Sequence, residues 1–340
     1  MKPKNKDLNK IVYQENPPLQ NIDIKRLRPN KSYEFLIKNR NGDLQKTLDQ
    51  PEILNQFLVN RDCPLCRSNN YSLEIKKDGL KIVKCKKCEL IYVNPVFDEA
   101  QYRKIYKSKS YQDIGKQLSI KSHEYRVQRF GEERAEFISA NHQEPLSKTY
   151  LDIGCSTGFT LESLSKRGWV CKGLELNPAT AEFARRRGLN VQEKDFLDLS
   201  DQENFSAISL FDVLEHLYDP TKILEKAYKV LNKGGSIYIY VPNWNSASKD
   251  LLGEARSHFV WPTHHLTYYT PSTLIKHIEK IGFSTFHWET QGLDLFDWAW
   301  ADKERLGSSS EYLMTKLDLI QSYINASGHG KNLRLFARKL

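Results

Sequence analysis

The sequence predicts an α/β protein: an open, parallel sheet over residues 149–340, with a small metal-binding module ahead of it. Three observations predict it. Residues 149–159 read Thr-Tyr-Leu-Asp-Ile-Gly-Cys-Ser-Thr-Gly-Phe, an apolar run that breaks on glycines and leads into a helical pattern. From there, strand-like and helical runs alternate to the end, the signature of a parallel sheet. Ahead of them, four of the six cysteines form two Cys-x-x-Cys pairs.

In the first of these stretches Tyr150, Leu151 and Ile153 form a short buried strand, with Asp152 near its end. Gly154 and Gly158 punctuate the bend into a helix starting near Phe159, where the backbone must come close to a ligand. The helix start points free N–H groups at that ligand. The dinucleotide fingerprint G-x-G-x-x-G is not met, because the pattern is Gly154-x-Ser156-x-Gly158. The next apolar run ends on Glu175, 21 positions after Gly154. A carboxylate there suits the two hydroxyls of a ribose. The combination resembles the class I S-adenosylmethionine (SAM)-dependent methyltransferases, whose first motif is D-x-G-x-G-x-G. The resemblance implies a Rossmann-like, seven-stranded sheet with an antiparallel last strand. It also implies SAM as cofactor, held by Asp152, Gly154, Ser156, Gly158 and Glu175. Ser156 stands in place of the middle glycine and adds a side chain near the methionine moiety.

Composition sets the outer bounds. The 340 residues suffice for about two domains, and 39% hydrophobic with 27% charged residues describes an ordinary soluble chain. No apolar run approaches the ~18–20 residues that span a bilayer. The start, Met1 to Asp7, is basic without an apolar segment behind it, so the expectation is a cytoplasmic protein without membrane partners. The net charge of +9 is uneven: residues 1–148 hold 29 Lys and Arg against 19 Asp and Glu, leaving the remainder near −1. That excess reads either as a solvated basic surface or as a site for an anionic partner such as RNA, a nucleotide-sugar or an acidic glycan.

Residues 1–60 read as an N-terminal extension. Little order is expected over residues 1–20. A β-hairpin is expected around Asn41-Gly42, then a brief helix from Pro51 to Val59. Residues 61–96 read as a zinc ribbon: Cys63-x-x-Cys66 and Cys85-x-x-Cys88 enclose 18 residues that alternate like a hairpin. Two knuckles supply four thiolates, a closed tetrahedral set, so the zinc is structural, not catalytic. A redox role is set aside because the paired ribbon explains all four sulfurs. Cys155 and Cys171 read as small core residues. The ribbon runs into Leu90-Ile-Tyr-Val-Asn-Pro95, and this layout resembles bacterial zinc-ribbon methyltransferases and sugar C-methyltransferases over residues 61–340.

Residues 97–148 read as a helical linker or cover, basic and rich in tyrosine. Tyr102, Tyr106, Tyr111 and Tyr125 are weighed as packing first and substrate contacts second. A helix is expected from Tyr125 to Asn141, packed across the sheet. The sheet domain follows. Helix Phe159 to Arg167, strand Trp169 to Leu176, a helix from Asn177 to Arg187 and strand Asn190 to Glu193 lead to Asp195-Phe196. In the resembled family an acidic residue and its apolar neighbour at this point hold the adenine, which implies Asp195 and Phe196. The fourth strand, from Ala207, ends on Asp212-Val-Leu-Glu-His216-Leu, at the edge where reacting groups gather. That run matches a family motif next to the methyl donor, which adds Asp212 to the cofactor set. His216 reads as a general base or as a residue fixing the loop. Helix Pro220 to Leu231 is expected to end on a glycine cap in Asn232-Lys-Gly-Gly235, before strand Ser236 to Pro242.

Residues 243–282 and 291–331 read as substrate-side insertions. The first holds Trp244, His258, Phe259, Trp261, His264, His265, Tyr268 and Tyr269, which suit a pocket wall. The run from His264 to Pro271 resembles a family segment over the active site, which implies His265 or His264 as base. Metal binding by these histidines is not expected, since no carboxylate or cysteine joins them at ligand spacing. Helix Pro271 to Ile281, strand Phe283 to Thr290, a helical lid or interface from Asp294 to Asn325 and a last strand, Asn332 to Arg338, complete the chain.

The expected function is SAM-dependent methylation, on oxygen or carbon, of a small hydroxylated metabolite: a sugar, nucleotide-sugar or glycan. No Asn-Pro-Pro-Tyr or Asp-Pro-Pro-Tyr motif follows the fourth strand, which argues against the amino-methylating enzymes that use it. No Pro-Cys dipeptide occurs, which argues against cytosine-C5 methyltransferases. The alternative is an RNA methyltransferase gripping phosphates with the ribbon and the basic N-terminal region. A third reading, a non-enzymatic interaction module, conflicts with the intact Gly154, Gly158, Glu175 and Asp195 set.

Overall fold

The computed structural model describes residues 22–39, 41–302, 307 and 316–340; the order expected of residues 1–20 lies outside them. The chain enters through four short helices, α1 (Ile24–Leu27), α2 (Ser32–Asn39), α3 (Gln45–Leu48) and α4 (Pro51–Gln56). The hairpin expected around Asn41-Gly42 does not form. The favoured Asn-Gly hairpin turn needs positive φ at both central residues. Here Asn41 sits at −95° and Gly42 alone is positive, at +46°. Helical spacing instead lets Leu48 and Leu54 bury against Leu80 and Phe97. The helix expected over Pro51 to Val59 stops at Gln56, because the next residues form strand β1 (Leu58–Val59).

Strands β2 (Tyr71–Lys77), β3 (Leu80–Cys85) and β4 (Ile91–Val93) make an antiparallel meander, and β5 (Val96–Phe97) returns to pair with β1. The two cysteine knuckles are alike. The residue after the second cysteine of each, Arg67 and Glu89, takes a left-handed conformation at φ +60° and +68°. Its N–H donates to the carbonyl of the first cysteine of the pair, at 2.9 Å in both. Cys63 Sγ lies 3.4 Å from Cys88 Sγ, Cys66 Sγ lies 3.5 Å from Cys85 Sγ, and all four sulfurs fall within 4.8 Å of one another. A zinc tetrathiolate with Zn–S near 2.3 Å has S···S edges of roughly 3.8 Å. The four side chains fit that ion.

Helices α5 (Glu99–Lys107) and α6 (Lys109–Gly115), a π turn (Lys116–Ile120), α7 (His123–Arg126), a second π turn (Val127–Gly131) and α8 (Glu132–Ala140) follow. The single helix expected from Tyr125 to Asn141 is therefore interrupted. The second wide turn ends on Gly131, where a Cβ would meet the Phe159 carbonyl oxygen at 2.6 Å; the helix passes that close to its neighbour.

The sheet then builds by crossovers: β6 (Thr149–Ile153), α9 (Phe159–Ser165), β7 (Val170–Leu174), α10 (Pro178–Arg186), β8 (Val191–Gln192), β9 (Phe205–Phe211), α11 (Pro220–Val230) and β10 (Leu231–Pro242). Helix α12 (Ala247–Arg256), strand β11 (Thr267–Tyr268), α13 (Pro271–Ile281), β12 (Phe283–Gln291), α14 (Asp294–Ala301), α15 (Leu317–Ala326) and β13 (Asn332–Lys339) complete the described chain. The strand order is β12-β13-β10-β9-β6-β7-β8, parallel from β10 to β8, with β13 antiparallel to both neighbours. Strand β9 and the half of β10 from Ile237 are largely buried because helices cover both faces. Leu151, Ile208 and Ile239 pack with Leu224 and Ile278 of α11 and α13. Tyr150, Ala207 and Tyr238 pack on the other side with Ile138 of α8 and Leu161 of α9. The glycine cap expected at residues 232–235 is absent. Helix α11 ends in an extended Leu231, and Gly234, at φ +78°, sits where the β10–β9 register shifts between Leu231 and Ser236.

One strand crosses between modules. β11 leaves the first insertion and pairs antiparallel with β4 of the ribbon, Thr267 opposite Tyr92. No helix among the described residues is long and apolar enough to cross a membrane.

Cys85→Ser removes one of four thiolates from a site that closes two knuckles under β4. Metal analysis of the purified variant is expected to show loss of stoichiometric zinc, together with a lowered thermal midpoint. A variant that keeps both wild-type values would remove zinc from this site.

Candidate active site

The carboxyl ends of β6, β7 and β9 open into a cleft of about 370 Å³. Its floor is the turn after β6. Gly154 and Gly158 are left-handed, at φ +73° and +76°, and a Cβ on Gly154 would meet Val213 Cγ2 at 2.4 Å. Ser156, where the resembled motif has glycine, is left-handed too, at φ +51°. Its N–H donates to Glu175 Oε2 at 2.7 Å, while Asn177 N–H donates to Oε1 at 2.6 Å. Burial raises the Glu175 pKa against the pull of these backbone donors. Asp152 is buried within β6 and its Oδ1 accepts from Ser209 Oγ at 2.6 Å. Burial pushes its carboxyl up to about 7, against the pull of the Ser209 hydroxyl and the Arg134 charge. On the far wall Asp195 caps a short turn through Leu197 N–H, at 2.9 Å, and Phe196 is buried beside it. Every cofactor residue named from sequence except Gly158 lines this cleft; Gly158 sits behind it, where a Cβ would meet Leu189 Cδ1 at 2.5 Å.

Sequence reading missed two cations here. Arg126 and Arg134, eight positions apart on the α7–α8 run, both line the cleft. Arg126 Nε donates to Ser122 Oγ at 2.7 Å, and the Arg134 guanidinium stacks 4.0 Å over the Phe211 ring. Neither has a carboxylate within ion-pair distance among the described residues. Burial lowers the Arg126 pKa to about 10, with Asp212 opposing. The wide π turn between them hides the shared face from a 3.6-residue pattern. Of the four tyrosines, Tyr106 and Tyr111 line the cleft, whereas Tyr102 and Tyr125 are buried in packing.

A second chamber of about 370 Å³ meets the cleft at Arg126, Arg134, Asp212 and His216. Beyond that junction, its walls draw on segments far apart in sequence. Leu27 and Leu36 enter from α1 and α2, Phe259 and Trp261 from the first insertion, Leu293 from the β12–α14 connection, and Lys331 from the start of β13. Asn41 Oδ1 accepts from Trp261 Nε1 and Thr263 Oγ1, both at 3.1 Å, which ties the N-terminal helices to the histidine segment.

Three side chains gather at the junction. The His216 and His265 rings lie 4.7 Å apart, edge to face. His216 Nδ1 donates to the His264 carbonyl at 3.0 Å, and His265 Nδ1 to the Phe259 carbonyl at 2.6 Å. Those bonds make Nε2 the basic nitrogen of each ring. Glu215 is 1% exposed; its Oε1 lies 3.7 Å from His216 Nε2, and its Oε2 makes no hydrogen bond among the described residues. Burial pushes the Glu215 pKa up and holds His216 down to about 4. One ligand atom from each of the three falls within 4.8 Å of the others. This corrects the expectation that no carboxylate joins the histidines. Glu215 is fifty positions from His265 in sequence, and Leu266 N–H donating to the Glu215 carbonyl at 2.7 Å brings them together. The trio has the donor types of a two-histidine, one-carboxylate metal site.

His264 is placed differently. Its ring stacks on Trp261 at 4.0 Å, with Tyr111 on the other side at 6.2 Å, and it lies outside the chamber lining. Trp244, Tyr268 and Tyr269 belong to packed cores instead of the chamber wall.

A family model described as a methyltransferase domain matches residues 123–287; the ribbon lies before it. A ubiquinone biosynthesis O-methyltransferase from Xanthomonas axonopodis pv. citri (strain 306) is 27% identical over 191 residues, covering 52% of this chain and 78% of that protein. Another, from Hydrogenovibrio crunogenus (strain DSM 25203 / XCL-2), is 31% identical over 123 residues, covering 34% of this chain and 51% of that protein. Against the second relative, then, the chain spans about half the length of the protein it matches. Among solved structures, that of the plantazolicin methyltransferase BpumL in complex with SAH aligns with a TM-score of 0.48 at 15% identity, covering 71% of this chain and 94% of that chain.

Proposed function

We propose that the chain carries a class I SAM-dependent methyltransferase domain and moves the SAM methyl group to a hydroxyl oxygen of a small acceptor held in the second chamber. The observation that carries this reading is the junction itself, where two histidines with basic Nε2 atoms stand between cofactor cleft and chamber. The relatives named for O-methylation favour oxygen over carbon as the acceptor atom.

In this reading Glu175 takes the ribose hydroxyls, Asp195 and Phe196 take the adenine, and the Gly154–Gly158 turn brings its backbone against the methionine moiety. Arg126 takes the methionine carboxylate, since it is a guanidinium in the cleft wall with no carboxylate at ion-pair distance among the described residues. Asp212 faces the sulfonium. The protein then has two tasks: to hold the methyl carbon in line with the acceptor oxygen, and to remove the hydroxyl proton. His265 is the base. His216, held near 4 by burial, is too weak a base to keep a proton at neutral pH, and it orients the loop instead. His264 is ruled to a supporting position by its stack on Trp261.

The chamber combines Leu27, Leu36, Phe130, Phe259, Trp261 and Leu293 with the cations Arg28 and Lys331. That lining suits a hydroxylated acceptor with a flat or apolar body better than a bare polyol. The relatives give no support to the sugar, glycan or RNA acceptors expected from sequence. A second reading rests on the buried Oε2 of Glu215, which makes no hydrogen bond among the described residues. A divalent cation held by Glu215, His216 and His265 would lower the acceptor hydroxyl's pKa and share the work of the base.

Labelled methyl from SAM, offered to a fractionated lysate with and without ribonuclease, tests the reading. Alkali-stable label in small molecules that partition into solvent is expected. Ribonuclease-sensitive label in large RNA would overturn it.

Glu175→Ala removes a carboxylate that accepts charge-assisted hydrogen bonds worth about 1.5–3 kcal/mol each. Calorimetry is expected to show SAM affinity reduced by roughly ten- to a hundredfold. Unchanged affinity would sink the ribose assignment.

His265→Ala is expected to lower kcat by about 10²–10⁴-fold with SAM affinity kept, while His264→Ala loses far less. Full turnover in the His265 variant removes it as the base. Loss of wild-type turnover to a chelator that leaves the ribbon zinc in place would select the cation reading.

A further inference from the structure

No residue of the ribbon, 61–96, lines the cleft or the chamber, yet the ribbon's backbone runs directly behind the histidines. Leu266, the residue after His265, is the point of contact. Its carbonyl accepts from Val93 N–H of β4 at 3.0 Å, and its N–H donates to the Glu215 carbonyl at 2.7 Å. Leu266 is thus a one-residue spacer between the ribbon's inner strand and the loop that carries Glu215 and His216.

Arg61, two positions before the first zinc cysteine, closes this arrangement. Its guanidinium donates to three carbonyls from three segments: Nε to Val93 at 3.1 Å, Nη1 to Tyr218 at 2.8 Å and Nη2 to Leu266 at 2.6 Å. Its own N–H donates to Asn94 Oδ1 at 2.9 Å. Its cation lies 5.6 Å from the Tyr92 ring and 5.9 Å from the Tyr218 ring. Among the described residues it has no carboxylate within ion-pair distance. Burial lowers its pKa, so holding the charge there works against stability. A neutral side chain could fill this space at less cost. What it could not do is draw three separate carbonyls to one planar fork.

We propose that Arg61 is a positioning residue for the methyl-transfer site: it fastens the His264–Leu266 segment and the Glu215–Tyr218 loop to the ribbon, so that the ribbon sets where His216 and His265 point. The chain of contacts is short. His216 Nδ1 reaches the His264 carbonyl, and His264 is two residues from the carbonyl that Arg61 holds. The other ribbon contacts point the same way. Thr221 Oγ1 donates to the Pro64 carbonyl of the first knuckle at 2.7 Å, and Lys280 Nζ to the Leu65 carbonyl at 2.5 Å. The ribbon acts as a bracket behind the acceptor-side loops, and a zinc ion held by Cys63, Cys66, Cys85 and Cys88 would keep the bracket rigid. This inference rests on the proposed role of His265, but its test does not.

The test is side-chain ¹⁵N NMR of histidine-labelled full-length protein, with His216 and His265 assigned from His216→Gln and His265→Gln spectra. Wild type is expected to show both rings as the Nδ1–H tautomer. In Arg61→Met the two rings are expected to move to a tautomer average, with zinc content and SAM affinity unchanged. Millimolar methylguanidinium, which refills the socket, is expected to restore the wild-type pattern. Labelled-methyl turnover falls in parallel by roughly a hundredfold, the scale of a 1 Å misplacement, while the KM for SAM stays. Arg61→Lys, which keeps the charge but not the fork, reads the same way if the methionine variant fails to fold. Unmoved histidine signals in a zinc-loaded variant, or joint loss of zinc and SAM binding, would overturn the proposal. Moved and rescued signals with no change in turnover would keep it and instead remove His265 from the chemistry.

Discussion

The carboxyl edge of the sheet depends on one carboxylate. Glu175 accepts from Ser156 N–H on one oxygen and from Asn177 N–H on the other. It thereby joins the turn after β6 to the start of α10, two crossovers that would otherwise be independent. The turn places a serine in the left-handed region, which costs about 1–2 kcal/mol for a residue with a Cβ. A hydrogen bond to a charged acceptor contributes about 1.5–3 kcal/mol, enough to hold it there. Gly154 extends the constraint to a third segment, since a Cβ there would strike Val213 of the loop after β9. The Gly154–Gly158 turn, Glu175 and the loop after β9 are therefore fixed relative to one another before any ligand arrives.

The acceptor half is built differently. A parallel sheet supplies an edge but no enclosure, and here the enclosure comes from segments outside the sheet. Leu27 and Leu36 reach in from helices ahead of the ribbon, and Asn41 holds Trp261 and Thr263 in place. Lys77 Nζ, on the ribbon hairpin, donates to the Glu254 and Ser257 carbonyls at 2.8 Å each, securing the end of α12. Selectivity on a fold shared by many chemistries resides in such additions. In this chain several of them lie before residue 123 or after residue 287, outside the matched family model.

That division explains what the sequence could disclose. Local chemistry is written in adjacent residues: the two cysteine knuckles, the Gly154–Gly158 turn, and Asn177-Pro178 opening α10 with its side chain on Ala179 N–H. Strand and helix periods gave the alternation of elements, and the family resemblance implied the seven-stranded sheet with its antiparallel last strand. What failed or was missed is non-local. Asn41-Gly42 looked like a hairpin because the turn residues are right, but burial of Leu48 and Leu54 decided for helices. Arg126 and Arg134 share a face only because a π turn lies between them. Glu215 stands beside His216 in the motif, but its partnership with His265 needs a hydrogen bond fifty residues away. Arg61 carries no motif at all; its three carbonyls belong to residues 93, 218 and 266.

Charge bookkeeping gives the junction its logic. SAM enters as a sulfonium cation and leaves as a neutral thioether. In the proposed reaction the acceptor hydroxyl becomes an ether and its proton goes to the His265 imidazole. One positive charge then crosses from sulfur to that ring within the same water-poor space, and the total held there does not change. A site of low polarity tolerates such a transfer far better than the creation of a charge. It also needs only one compensating anion, placed to serve both positions. Asp212 lines both the cleft and the chamber; burial raises its carboxyl, and the Arg134 and Arg126 charges pull it back toward the ionised form. Glu215 is pushed up by burial and by the charge of Asp212, toward the neutral form. Two nearby carboxyls in one motif thus differ in what faces them: guanidiniums oppose burial at Asp212, whereas at Glu215 the neighbouring charge adds to it.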